Sequence, residues 1–397
     1  MWHDNRSAVA PLPVGWQPTP FRTFVLKIHS RCNLRCDYCY MFASADQSWR
    51  SRPRVMSRTT IDMIALRIAE HVIAHDISGA NIVLHGGEPL LAGPEIIAYA
   101  VTAVRAALGG RIADISVQTN GLLLDERFLE LFEEFDVKVG LSIDGYASMH
   151  DRHRRRADGA GSYEMAAEAA ARLRAHPRLF GGILSVIDLR GDPVRAYESL
   201  LGFSPPVIDF LLPHGTWSAP PPRRPAEDPD TPYGDWLIEV FDRWYPAAEK
   251  ETSVRLFEEI INLLLGGSSR TEAIGLSPVT VVVVESDGAI GESDLLKVAY
   301  SGAGTTGLHV ARDSFDSALL TPGTAARQRG LEALAAKCRA CPVARVCGGG
   351  LYAHRYRARN GFDNPSVYCP DLYCLIAHVR SRVVADLGLL SHGIKCR

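Results

Sequence analysis

The chain contains no run of about 20 apolar residues, so no membrane-spanning helix is expected. Its first residues, MWHDNRSAVAPLPVGW, have no basic flank leading into an apolar stretch. They do not read as a secretory signal, and a cytoplasmic location is expected. Neither sign of charge is in excess. Lys and Arg number 43 against 45 Asp and Glu, a formal net charge of −2. A broad electrostatic affinity for nucleic acid or membrane is therefore not implied. Internal repeats are lacking, and the one biased segment is the Pro-rich SAPPPRRPAEDPDTP at 218–232. Cysteine is missing between Cys39 and Cys338. Disulfide scaffolds spread their cysteines, whereas these are bunched: three at 32–39, five at 338–374, and Cys396. Without a secretory signal they are expected to stay reduced or to bind metal.

The 397 residues, 47% of them hydrophobic, suit a globular barrel with an appended domain better than one core. FVLKI (24–28), NIVLH (81–85), 113–119, KVGLSID (138–144), GGILSVI (181–187) and VIDFLL (207–212) read as strands. Between them, helical periodicity is read at 58–75, 94–107, 125–135 (with Asp125 as cap), 162–175 and 193–201. Six strands alternating with helices predict a parallel α/β sheet with right-handed crossovers, its chemistry gathered at the C-terminal strand ends. Helices are expected at 233–248 and 253–265, then a strand–turn–strand in TVVVVESDGAIGESD with its turn at Asp287-Gly288. The expected division is a tail (1–20), a barrel (21–217), a Pro-rich connection with bridging helices (218–275) and a cysteine-bearing C-terminal domain (276–397).

The run CNLRCDYCYMF places Cys32, Cys36 and Cys39 in CxxxCxxC spacing. Three thiolates on one loop can bind three irons of a 4Fe–4S cube and leave the fourth iron open. Zinc is the alternative, with His29 as its fourth ligand. Gly86-Gly87-Glu88-Pro89 follows the second strand, where two glycines permit close backbone approach and proline fixes the exit. The later group reads CRACPVARVC: Cys338, Cys341 and Cys347, with Cys369 and Cys374 beyond. A CxxC with a third thiol six residues on is a metal signal, and a zinc knuckle is the plain alternative.

In their order, these segments resemble radical S-adenosylmethionine (SAM) enzymes over roughly residues 21 to 375. The resemblance implies a partial (β/α)6 TIM-like barrel. It implies a SAM-binding 4Fe–4S cluster on Cys32, Cys36 and Cys39, and SAM contacts from Gly86, Gly87, Glu88 and Pro89. Tyr38 would face adenine, while Asn120, Ser142 and Asp144 would make ribose and polar contacts. Arg154 matches an arginine that reaches the SAM carboxylate, although Arg152, Arg155 and Arg156 beside it equally suit a solvated basic patch. The second cysteine group resembles a SPASM/Twitch-like auxiliary iron–sulfur domain. There Cys338, Cys341 and Cys347 would be completed by Cys369, with Cys374 as runner-up. A full SPASM domain carries two clusters, but the hairpin here lacks cysteine and Leu351 occupies the later cysteine position. One auxiliary 4Fe–4S cluster is therefore expected.

The aromatics and the NGFDNPSVYC ending, with ADQSWRSRPRVMS and ESDGAIGESDLLK, resemble the FxsB-type maturases of ribosomally made precursor peptides. That likeness implies joining an aromatic ring carbon to a side-chain Cβ in a three-residue cyclophane. It also implies a flavodoxin- or ferredoxin-type electron donor. Candidate bases for the released proton are Asp209, His214, Glu285, Asp287 and His354. Rival readings are a sulfatase-maturing or thioether-forming enzyme of the same architecture, and a non-catalytic iron–sulfur or zinc protein.

Overall fold

The computed structural model describes residues 15–224 and 229–388; Cys396 and most of the tail at 1–20 lie outside them. The alternating half is β1 (Thr23–His29), α1 (Arg58–Ala74), β2 (Gly79–Gly86), α2 (Pro94–Leu108), β3 (Ile112–Thr119), α3 (Glu126–Glu134), β4 (Val137–Ser142), α4 (Ala147–His153), α5 (Tyr163–Ala175), β5 (Phe180–Val186), α6 (Pro193–Leu201) and β6 (Val207–Leu211). Side-chain caps set three helix starts. Ser57, Asp125 and Asp192 accept from the backbone N–H of Thr60, Phe128 and Arg195 at 3.1, 3.1 and 2.7 Å. Strands β1 to β6 pair in chain order and in parallel, so their C-terminal ends open on one side. The parallel α/β sheet expected from the pattern is the one observed. The short α4, which ends at Arg154, has no counterpart among the expected helices: seven residues hold too few apolar positions to show a period.

The bridging part holds α7 (Pro232–Trp244), β7 (Ser253–Val254) and α8 (Arg255–Leu264). The C-terminal part holds β8 (Val281–Val284), β9 (Ala289–Gly291), β10 (Thr305–His309), α9 (Phe315–Leu319), α10 (Pro322–Gln328), α11 (Ala336–Arg339), α12 (Ala344–Cys347) and α13 (Cys369–Asp386). The sheet has ten strands in the order β10-β9-β8-β1-β2-β3-β4-β5-β6-β7. β8 lies parallel to β1, with Thr23 opposite Val281. Ladder hydrogen bonds therefore join the cysteine-bearing part to the barrel across residue 276. The hairpin turns at Asp287-Gly288, where Gly288 has φ +92°.

Helices α7 and α13 close the far side. Asp371 accepts from the backbone N–H groups of Tyr233 and Gly234 at 2.9 and 3.0 Å, which caps the first turn of α7. Its other oxygen lies 3.3 Å from Arg224 Nε, and both side chains are buried. Asp371→Ala strands a buried guanidinium and two helix amides. It should cost about 3–5 kcal/mol, seen as a lower urea midpoint, with Asp371→Asn losing less.

Candidate active site and auxiliary cysteine site

The CxxxCxxC loop leaves the end of β1, and Gly86 and Gly87, at the end of β2, hold its first residues. A Cβ on Gly86 would stand 2.1 Å from the His29 carbonyl oxygen, and one on Gly87 2.4 Å from that of Arg31. The backbone N–H groups of Gly87 and Glu88 donate to those same carbonyls at 2.8 and 2.9 Å. Both glycines are thus required by the incoming loop itself. Glu88 is buried, and burial pushes its carboxyl up. It accepts from Leu90 N–H, the Thr119 hydroxyl and Asn120 N–H at 3.0, 2.7 and 2.8 Å. Glu88 thereby fixes the turn after β3, from which Asn120 Nδ2 reaches Asn33 Oδ1 (2.8 Å) and Cys32 Sγ (3.7 Å). Pro89 opens the short turn beyond.

Cys32, Cys36 and Cys39 line one cavity of about 930 Å³ with Tyr38, Gly86, Gly87, Glu88, Asn120, Ser142 and Arg154. Burial pushes the thiols up, Cys32 to about 12 and Cys36 to about 11. The neighbouring thiols reinforce this, while Arg154 opposes it at Cys36 and Cys39. Asp144 stands behind this wall. It accepts from the Tyr38 hydroxyl and from Val186 N–H (2.9 Å), and Arg154 Nη1 donates to the Tyr38 oxygen at 3.0 Å. Arg154 is buried in this group, not solvated. Ser142 accepts from Gln118 Nε2 at 2.9 Å, and Gln118 also lines the cavity.

Of the candidate bases, Asp209, His214 and His354 line the same cavity. Burial pushes His214 down to about 4 and His354 well below its ordinary value, and the two rings meet at Nδ1···Nε2 3.0 Å. Asp209 lies 3.1 Å from Arg255. Glu285 is 2.6 Å from Lys297, and Asp287 is 2.6 Å from Arg52; neither lines the cavity. Sequence reasoning missed the group beneath. Lys27, 1% exposed on β1, pairs with Asp294 and lies 3.1 Å from His85 Nδ1. The Tyr40 hydroxyl donates to Asp294 at 2.9 Å. Burial opposes ionisation of Asp294, but Lys27 and His85 outweigh it and hold the carboxyl well below its usual range. A lysine inside FVLKI was the signal available.

Cys338, Cys341, Cys347, Cys369 and Cys374 line a second cavity, of about 1040 Å³. Burial pushes Cys347 to about 12 and Cys369 to about 11, each with a contribution from neighbouring thiols. Arg355, also missed, is buried and donates to the carbonyls of Gly348, Gly349 and Gly350 at 2.6, 3.1 and 2.8 Å. All three glycines have φ between +60° and +76°, and a Cβ on Gly348 would stand 1.7 Å from the Gly275 oxygen. Leu351 packs with Leu296, Val298 and Ala353.

The thiol spacing also bears on the metal. Among the described residues the trio of ligand atoms within 4.8 Å of one another is His71, His75 and Asp316, and it includes no cysteine. Sulfurs on one zinc stand about 3.8 Å apart, given Zn–S near 2.3 Å and tetrahedral geometry. Thiolates on the irons at alternate corners of a 4Fe–4S cube stand farther apart than that, and the thiols lining the two cavities suit that group.

Residues 26–187 match the family model of the radical SAM superfamily. The serine-type anaerobic sulfatase-maturating enzyme of Klebsiella aerogenes is 26% identical over 356 residues, 86% of this chain and 82% of that one. The solved structure of anSMEcpe with bound AdoMet superposes with TM-score 0.78 at 21% identity, covering 92% of this chain and 98% of that one. Streptococcus suis SuiB bound to precursor peptide SuiA superposes with TM-score 0.57 at 12% identity, covering 88% and 76%. These two likenesses are of fold. Among the described residues no helix is long and apolar enough to cross a membrane.

Anaerobic reconstitution should give about eight irons per chain, two 4Fe–4S clusters, measured with protein by elemental analysis. The triple variant of Cys32, Cys36 and Cys39 to alanine should keep about four. Cys369→Ala should lose the auxiliary cluster's absorbance and lower soluble yield, while Cys374→Ala keeps both. About twelve irons, or loss of the auxiliary cluster in Cys374→Ala alone, would contradict this ligand set.

Proposed function

We propose that this chain is a radical SAM enzyme that modifies a ribosomally made precursor peptide, joining an aromatic ring carbon to a side-chain Cβ in a net two-electron oxidation. When bound, the cluster with SAM supplies a hydrogen-abstracting 5′-deoxyadenosyl radical, and the four-cysteine site holds a group suited to electron acceptance. The observation that carries the reading is the shared cavity. Residues suited to SAM and the two imidazoles line one space of about 930 Å³, near the upper end for ligand sites. SuiB, of like fold, is described bound to a precursor peptide.

The chain's own part is positioning and proton handling. Glu88 holds Asn120 beside Cys32, and Arg154 offers its charge to the SAM carboxylate. Burial keeps His214 and His354 neutral near pH 7, so a lone pair is free to take the proton that the substituted ring must lose. Asp294 stays ionised and reaches the cavity wall through Tyr40. The electron donor is assigned to the flavodoxin or ferredoxin type. A second reading, formylglycine formation, is favoured by the relationship to sulfatase-maturating enzymes.

Mass spectrometry of a co-expressed aromatic-containing peptide should show a loss of about 2 Da, one hydrogen atom plus one electron and one proton. Deuterium at the attacked Cβ should appear in 5′-deoxyadenosine. Oxidation of serine to formylglycine also removes about 2 Da, so an aldehyde-reactive probe decides: labelling supports the second reading and removes the first. Cys341→Ala should still cleave SAM but crosslink poorly.

A further inference from the structure

Away from both cysteine sites, α1 and α9 bring together a third set of metal-ligating atoms. His71 lies in the last turn of α1, and His75, four residues on, caps the C-terminus of that helix. Asp316 arrives from α9, 241 positions beyond His75. Its Oδ1 lies 2.6 Å from His71 Nδ1 and 2.9 Å from His75 Nε2, and the three ligand atoms all fall within 4.8 Å of one another. Phe21, Phe24 and Phe315 pack around the His71 ring, which is 2% exposed. The His75 and Asp316 side chains are 28% and 47% exposed, so the set opens to water on one side.

The hydrogen-bonded arrangement leaves a defect. If His71 Nδ1–H donates to Asp316, the Nε2 is a bare acceptor. That atom is buried and has no hydrogen-bond partner. A metal ion on Nδ1 reverses the tautomer: the proton moves to Nε2, which is no longer a bare buried acceptor. A metal-bound histidine ordinarily carries its proton on the second nitrogen. Because each neutral ring only moves its proton, coordination need release none.

We propose that His71, His75 and Asp316 bind a divalent transition ion of the zinc type, fastening α9 to α1 with a water-accessible position to spare. Two imidazoles and one carboxylate suit zinc, whereas magnesium and calcium prefer all-oxygen sites. A carboxylate clasp between two histidines at the C-terminal end of a helix is the competing explanation.

The test uses anaerobically reconstituted protein of matched iron content, passed over chelator and titrated with zinc chloride, so that vacant cluster thiols do not confuse the count. Wild type should retain one more zinc per chain than His75→Ala or Asp316→Asn. Added zinc should raise its thermal midpoint by a few degrees and leave both variants unmoved. Asp316→Asn preserves shape and serves if His75→Ala folds poorly. Equal zinc in all three proteins overturns the proposal, and so does a variant midpoint lowered to the same degree with and without zinc. Neither readout involves SAM or a peptide, so the result stands apart from the proposed reaction.

Discussion

Strand β1 is hydrogen-bonded along both edges, to β2 and to β8, and the placement of the cluster loop and of the C-terminal hairpin depends on that double pairing. Side chains alternate along it: Phe24, Leu26 and Ile28 are fully buried on one face, and Lys27, on the other, is buried too. Lys27 is tolerable there only with a carboxylate partner, which Asp294 supplies from just beyond the hairpin. The same pair anchors Tyr40, next to the last cysteine of the cluster loop. Removing either charge would leave the other unpaired in a low-dielectric interior. The CxxxCxxC loop that follows β1 and the turn that follows the hairpin are therefore held by one ion pair, Lys27 on β1 with Asp294 beyond β9.

Much of the barrel was legible in the sequence because its signals are local. Apolar runs, periodic helices and caps such as Asp125 mark their own boundaries, and the strand ends carry the chemistry-bearing residues together. The cysteine sets were legible from spacing alone. What was not legible depends on contacts between distant residues. Gly86 and Gly87 read as room for a ligand, but the close approach they permit is that of His29 and Arg31. Asp144 read as a polar contact, yet it stands behind Tyr38 and Arg154. Five candidate bases looked equivalent in sequence; only the fold separates the imidazole pair in the cavity from two carboxylates already engaged by Arg52 and Lys297. Asp294, Tyr40 and Arg355 carried no motif.

The two thiol sites share one electrostatic design. Each is buried enough to push its cysteines upward, which disfavours thiolates without a cation nearby. Each also faces a few cations: Arg154 lowers Cys36 and Cys39, with Lys27 adding at Cys39, while Arg355 lowers Cys338 and Cys347, and Lys337 and Arg224 lower Cys369. Burial still outweighs these cations, so the remaining compensation falls to the metal, and binding it must release protons. Iron uptake should therefore be coupled to folding around both loops.

The difference between the sites lies in what surrounds that shared core. The three-cysteine site opens into the cavity and receives a side-chain amide from Asn120. The four-cysteine site sits beside the carbonyl arc of Gly348 to Gly350, which Arg355 holds. A cube on three thiolates carries one negative charge fewer than the same cube on four, and it retains an iron that can take an outside ligand. Net charge, hydrogen bonds to sulfur and solvent access are the levers that set cluster potential. Both sites line cavities of similar volume, so it is thiolate number and the groups beside the sulfurs that would set them apart.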